Sequence, residues 1–491
     1  MLFNSIEFAI FLPVVFLIYW FVADKNLKVQ NIFLLAASYF FYGWWDIRFL
    51  LLLIIISTVN YFIGIKMDKD IPVRERKIWF GIALIINIGI LGIFKYYNFF
   101  IDSFIDFVSL FGYRLPRSTT KIVLPLGISF YVFLSLSYII DIYKKNLKAN
   151  HNIVHVLLSL SFFPIILSGP IHRPSSLLQQ IACKREFDHA RAVDGLRQIL
   201  WGLFVKIAIA DNLAQDIDNI FQNISFYSGS TLLLGIVFYS FQIYADFSAY
   251  SNIAIGTAKI FGFKLMRNFA YPYFSRDITE FWKRWHISLT TWFRDYIFLP
   301  LSFNVSSRIS YDKVYIIKTE MIIYIVASLI TWFLTGLWHG ANYTFLIWGM
   351  IHGIFLIIYQ WQKTPRKKLF KKMGIKNDHI VVITIETVVT LVIVMIAWIF
   401  FRSNNIQQAF EYITRLFSPS ILSFPQIFPA KLIILTGVFV FAEWLQRNKE
   451  HTLQIEHIKY RLIRWGIYYT VILLILMTLD DSKQSFIYSQ F

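Results

Sequence analysis

At 491 residues, 57 % hydrophobic and 19 % aromatic, the chain is more apolar than soluble domains, and its apolar residues gather in runs near the length that crosses a bilayer. The 47 Lys and Arg against 29 Asp and Glu give a net charge of +18, but the cations lie in short loops between apolar runs. That placement fits membrane orientation and anionic lipid and argues against nucleic acid as a partner. A single cysteine, Cys183, excludes an internal disulfide framework and a cysteine-rich metal site, and no metal site is read from the histidines.

Residues 1–21 have no positive charge before their hydrophobic stretch and no small-residue cleavage pattern after it, so they read as a retained first helix, with its span at 7–22, rather than a signal peptide. Further spans are expected at 31–46, 48–65, 78–98, 121–141, 198–211, 229–247, 319–338, 340–360, 380–401, 430–446 and 462–479. The fold class is therefore an all-α polytopic membrane protein, with about 11–12 transmembrane helices. The strongly basic stretch 363–376 is cytoplasmic under the positive-inside rule, which puts the lysine-free 402–429 outside, 447–464 inside and both termini outside. Residues 66–77, 144–148 and 173–197 also read as inside, which requires 153–171 to enter and leave on one face. Pro164, Gly169 and Pro170 break a helix there, and broken backbone at membrane depth is tolerated only against protein or a water-filled cavity. Arg294, Asp295 and Pro300 make 287–305 a second re-entrant or surface-lying piece, and two such pieces imply an internal cavity. There is no internal repeat and no soluble domain.

Histidines near apolar spans are the strongest candidates for chemistry, because ionisable groups at membrane depth default to a functional reading. His339, in Gly-Leu-Trp-His-Gly-Ala-Asn, sits between two spans toward the exterior. Its imidazole, with an ordinary pKa near 6.5, is able to take a proton from a hydroxyl. Spacing alone leaves open a histidine merely hydrogen-bonded at a helix junction. His352, placed on the same helix as His339, is expected roughly 20 Å away on nearly the opposite face, too far for a shared site. His286 follows Lys283 and Arg284 at a tryptophan-rich membrane boundary. Two readings stand: anchoring by Trp282, Trp285 and Trp292, or a basic rim with Lys283, Arg284 and Arg294 that receives a phosphate-bearing cytoplasmic donor. Asp246 must be paired or protonated and is assigned a structural role in the cavity wall, as are Trp338 and Asn342 beside His339. Glu386 and Arg402 read as helix-end or snorkelling charges.

Several blocks carry a resemblance by standing in one order: Leu124-Pro-Leu-Gly-Ile-Ser-Phe-Tyr131, Asp141-Ile-Tyr143, Phe162-Phe-Pro, Gly169-Pro-Ile171, Ile209-Ala-Asp-Asn-Leu213 and Phe241-Gln-Ile-Tyr-Ala-Asp-Phe-Ser248. Phe281-Trp-Lys-Arg-Trp-His-Ile-Ser-Leu289, Gly336-Leu-Trp-His-Gly340 and Trp398-Ile-Phe-Phe-Arg402 follow. On these blocks the chain resembles the membrane-bound O-acyltransferase family, in the bacterial branch of alginate and peptidoglycan O-acetyltransferase membrane subunits. The resemblance implies one membrane domain over 1–491, with a catalytic core at 121–361 built around a central tunnel where a cytoplasmic thioester pocket meets an exterior funnel. It implies His339 as the active-site histidine and His286 as a second functional position. It also implies acetyl-CoA as donor with no permanently bound cofactor, a polysaccharide acceptor, a separate periplasmic SGNH-type partner, and residence in the cytoplasmic (inner) membrane in contact with its lipid.

The tail 484–491 is similar to a C-terminal motif of this branch in which a tyrosine is proposed to carry the acyl group. Tyr488 is the matching position, although Ser489 stands where an aromatic is common. A phenol of ordinary pKa about 10 needs a base such as His339 before it attacks a thioester; otherwise the tail reads as a disordered terminus or an interfacial anchor. Two rival functions stay open. One is D-alanyl transfer to teichoic acid; the other is a polysaccharide or lipid-linked exporter, which leaves His339 without a role.

Overall fold

The computed structural model describes residues 1–479 except 25, 114, 117–121, 310, 315–316 and 375. The tyrosine tail 484–491, with Tyr488, lies outside the described residues. Among those described, the chain is helical apart from a short antiparallel hairpin in which Lys313 faces Lys318 and Val314 faces Ile317. Seven helical stretches are long and apolar enough to cross a bilayer: Ile47–Asp68, Val73–Ser109, Gly229–Ile260, Thr319–His339, Tyr343–Lys372, Ile380–Arg402 and Arg461–Thr478. The chain is a multi-pass membrane protein. The other expected spans coincide with shorter helices, Ile6–Val22, Leu27–Gly43, Ile128–Tyr143 and Ala430–Leu445. The expected span 198–211 falls on helical residues that carry a buried lysine, Lys206.

The chain gathers into two compact units, residues 1–200 with 250–266 and residues 201–249 with 267–491, so the core expected at 121–361 is distributed over both. In the first unit the helix Ile153–Ser161 stops where Phe162 turns extended, a single turn Phe163–Ile166 follows with Pro164 in its first positions, and regular helix resumes only at Pro174–Ala182. Residues 158–172 are buried except Leu167, so the irregular backbone packs against protein, the condition under which it is tolerated at membrane depth. Gly127 packs against the irregular stretch that joins Phe162-Phe-Pro to Gly169-Pro-Ile171. It adopts a left-handed φ of +72° to start the helix Ile128–Tyr143, and a Cβ there would overlap the carbonyl oxygen of Ile166.

His151 and His155 stand four apart, a spacing that would put both on one face if a single helix carried them. The helix begins after His151, with Asn152 as its cap, so His151 lies outside it. Among the described residues no group of three His, Cys, Asp or Glu is arranged to hold a metal.

In the second unit, 287–305 is helical throughout. Ile287–Phe293, a π-helical turn Arg294–Phe298 and Leu299–Ser306 follow one another without interruption. Pro300 has no N–H to give and would collide with a carbonyl of the preceding turn; the widened turn just before it accommodates both defects. Thr319–His339 and Tyr343–Lys372 form a helical hairpin, and Ile380–Arg402 packs against its second arm. The charges on that third helix are held rather than loose. Glu386 pairs with Arg276 at 2.8 Å and Arg366 at 3.1 Å, and Arg402 with Asp218 at 2.6 Å.

Candidate active site

His339 is the last residue of its helix because Gly340 turns extended and Asn342 caps the next helix, its side-chain oxygen accepting from the Thr344 N–H at 3.1 Å. The Asn342 amide also donates to the Asn404 carbonyl at 2.8 Å, so this residue joins the hairpin to the segment after Ile380–Arg402. One turn before the histidine, Gly336 lets the two arms touch, since a Cβ there would overlap the carbonyl oxygen of Phe345. The Gly-Leu-Trp-His-Gly block is thus a close-packing device that delivers a histidine to a tight turn. His339 is buried against Trp338 (4.8 Å between ring centres), Trp348 (4.7 Å) and Phe401 (5.1 Å). Gly336→Ala is expected to push the arms apart, with a stability loss of about 1–3 kcal/mol and a fall in activity larger than in expression. A variant with native melting behaviour and native turnover would refute this account.

His286 starts the helix Ile287–Phe293 from a left-handed backbone (φ 42°, ψ 53°), a conformation that a non-glycine residue holds only when its surroundings impose it. Asn268 supplies that constraint. Its carbonyl accepts from the Ile287 N–H at 2.8 Å, and its side-chain oxygen accepts from the Ser288 hydroxyl at 2.8 Å. Sequence reasoning missed Asn268, since nothing in Arg-Asn-Phe-Ala signals a partner 20 positions on.

His286 itself is buried, while its neighbours Lys283 and Arg294 are exposed. It is 1 % exposed among Phe247 (4.5 Å), Phe269 (6.4 Å) and Trp338 (6.1 Å), and burial drives its pKa well below 6.5, so the ring is neutral. Trp338 touches both histidines, which places the two imidazoles within about 11 Å of each other.

An apolar cavity of about 230 Å³ lies beside this cluster, lined by Trp282, Lys283, Arg294, Thr331, Trp332 and Thr335, among others. Lys283 and Arg294 are exposed, whereas Trp332, Thr331 and Thr335 are buried, so the lining combines two cations with buried hydroxyl and aromatic groups. Thr331, Thr335 and His339 recur at four-residue spacing on one helix, so the lining residue Thr335 lies about one turn, roughly 6 Å, from His339 along the axis. Arg284 is not part of the lining; it forms an ion pair with Glu280 on its own helix. Arg294 is also held by Asp295 at 2.8 Å.

His352 corrects a second expectation. The turn at 340–342 puts it on the returning arm, and Trp348 lies 4.7 Å from His339 and 5.0 Å from His352, so the two imidazoles are within about 10 Å rather than 20. Asp246 is paired, as its burial requires. Lys206 bridges it and Asp211, each at 2.7 Å, with the lysine side chain 2 % and the Asp246 side chain 3 % exposed. Phe247, the next residue, packs on His286, so this buried triad backs the wall of the histidine cluster. The Ile-Ala-Asp-Asn-Leu block has a further use, because Asn212 donates to the Thr478 carbonyl at 3.1 Å and ties down the end of the last described helix.

The model of the membrane-bound O-acyltransferase family matches residues 143–404, a range that contains every residue of the cluster and cavity described above. Among curated proteins the chain is similar to the "Probable alginate O-acetylase AlgI" of Pseudomonas aeruginosa, at 36 % identity over 85 % of this chain and 75 % of the relative. It is likewise similar to the peptidoglycan O-acetyltransferase of Helicobacter pylori, at 33 % identity over 84 % of this chain and 79 % of the relative. A teichoic acid D-alanyltransferase of Bacillus subtilis matches at 30 % identity over 50 % of this chain and 60 % of its own length. With a family match over more than half its length and relatives aligned across most of theirs, the chain belongs to the membrane-bound O-acyltransferase family and is an enzyme of that family.

Proposed function

We propose that this enzyme takes an acetyl group from acetyl-CoA at the cytoplasmic face of the inner membrane and passes it outward for O-acetylation of an envelope polysaccharide, alginate-like or peptidoglycan. The observation that carries the reading is the cavity lined both by Lys283 and Arg294 and by Thr335, one helical turn from His339. Its 230 Å³ is below the roughly 300–1,000 Å³ that encloses a whole drug-sized ligand, which suits a slender thioester arm with the nucleotide left outside beside the two cations. His339 acts as base. Its imidazole takes the proton of an attacking hydroxyl, the oxygen adds to the thioester carbonyl, the carbon–sulfur bond breaks, and the thiolate leaves with that proton.

Tyr488 is the first acceptor in this reading, carrying the acetyl group as a phenyl ester to the exterior. A periplasmic SGNH-type partner completes transfer to the sugar. The names of the two long-aligned relatives support a polysaccharide acceptor, while the D-alanyltransferase aligns over only half the chain. Mass spectrometry of the C-terminal peptide after incubation with labelled acetyl-CoA tests the scheme. Label on Tyr488 of the native protein, absent from His339→Ala and Tyr488→Phe, is the expected result. A native protein that turns over acetyl-CoA with no label on its tail overturns the carrier step.

A further inference from the structure

We propose that His352 is a positioning residue that, through Trp282, sets how long an acyl group the cavity admits. This rests on the thioester reading above. The Trp282 indole N–H donates to Nδ1 of His352 at 3.3 Å, inside a fully buried cluster. With Nδ1 accepting, the ring proton sits on Nε2, and no described residue accepts from that nitrogen. A histidine that leaves one buried donor unmet is poorly explained as a network filler, since such a donor is a standing penalty. What it does achieve is to fix one indole.

That indole is part of the cavity wall. Trp282 and Trp332 both line the cavity and lean on each other at 4.4 Å, and Leu356, one turn beyond His352, lines it too. His352 also meets Trp348 at 5.0 Å, a ring that lies 5.7 Å from Trp282 and contacts His339. His352 therefore stands behind the partition between the donor cavity and the proposed base. With Trp282 held, the inner end closes after a short acyl group; with the bond cut, the indole is free to change rotamer and the cavity lengthens into the space it leaves. The histidine acts on specificity through the tryptophan, without touching the reacting atoms.

The test measures the second-order rate constant of single-turnover thiol release from acetyl-, butyryl- and hexanoyl-CoA by the purified full-length enzyme. Native protein is compared with His352→Phe and with His352→Asn, whose amide oxygen takes the place of Nδ1. The expected result is a hexanoyl-to-acetyl ratio raised about tenfold in His352→Phe and left native in His352→Asn. Trp282→Phe, which removes the same bond from the donor side, should shift the ratio alike and serves if His352→Phe fails to fold. Equal losses for all chain lengths in both Phe variants, or an Asn variant that behaves like the Phe variant, would overturn the inference and leave the acetyl-transfer reading standing. No thiol release by native protein from any of the three donors would overturn both.

Discussion

His339→Ala is expected to lower acyl transfer by roughly 10²–10⁴-fold, the usual contribution of a positioned general base, while the protein still inserts, folds and binds its donor. The separation follows from geometry. His339 sits at the end of its helix with ring contacts to Trp338, Trp348 and Phe401 and is not among the residues that line the cavity, the last of which on its own helix, Thr335, is one turn away. KM for acetyl-CoA should therefore stay near native and kcat should carry the loss. The same variant separates an enzyme from a scaffold, because capture of an exterior partner should survive the substitution when transfer does not. Turnover within a few-fold of native would remove His339 from the chemistry and return it to the alternative of a buried histidine at a helix junction.

The second large effect belongs to stability. Lys206→Met leaves Asp246 and Asp211 without the ammonium that lies 2.7 Å from each, and removing one partner of a buried ion pair costs about 3–5 kcal/mol. A fall in the apparent melting temperature in detergent is the expected signature, with loss of activity following because Phe247, adjacent to Asp246, forms part of the His286 enclosure. The double variant Lys206→Met with Asp246→Asn should recover part of the loss, since one stranded carboxylate is then neutral. If Lys206→Met melts with the native protein, the triad is not what holds that wall.

These two residues differ in how far they were visible in the primary structure. His339 stands out because a histidine between two bilayer-length apolar runs is conspicuous in a linear pattern. Lys206 falls inside a stretch read simply as a span, and its role exists only because Asp246, 40 positions later, is brought against it. Asp246 was legible as a group needing a partner, but the partner's identity was not. His286 was found by its position after two cations, yet folding places it among aromatic rings and leaves Lys283 and Arg294 to line the cavity.

By itself the amino-acid sequence determined the class of molecule, the places where helices run and the break at 153–171. These properties are local, since bilayer length, proline and glycine act on the residues that carry them. Tertiary structure alone decided which polar groups meet. Placing the start of one helix at 340 instead of 343 put His339 and His352 on a single rod roughly 20 Å apart; the turn at 340–342 folds that rod into a hairpin and brings them within about 10 Å. Asn268 beneath the His286 turn and Trp282 against His352 are of the same kind. A hydrogen bond between residues 20 or 70 positions apart leaves no periodic trace in a chain, and only packing selects it.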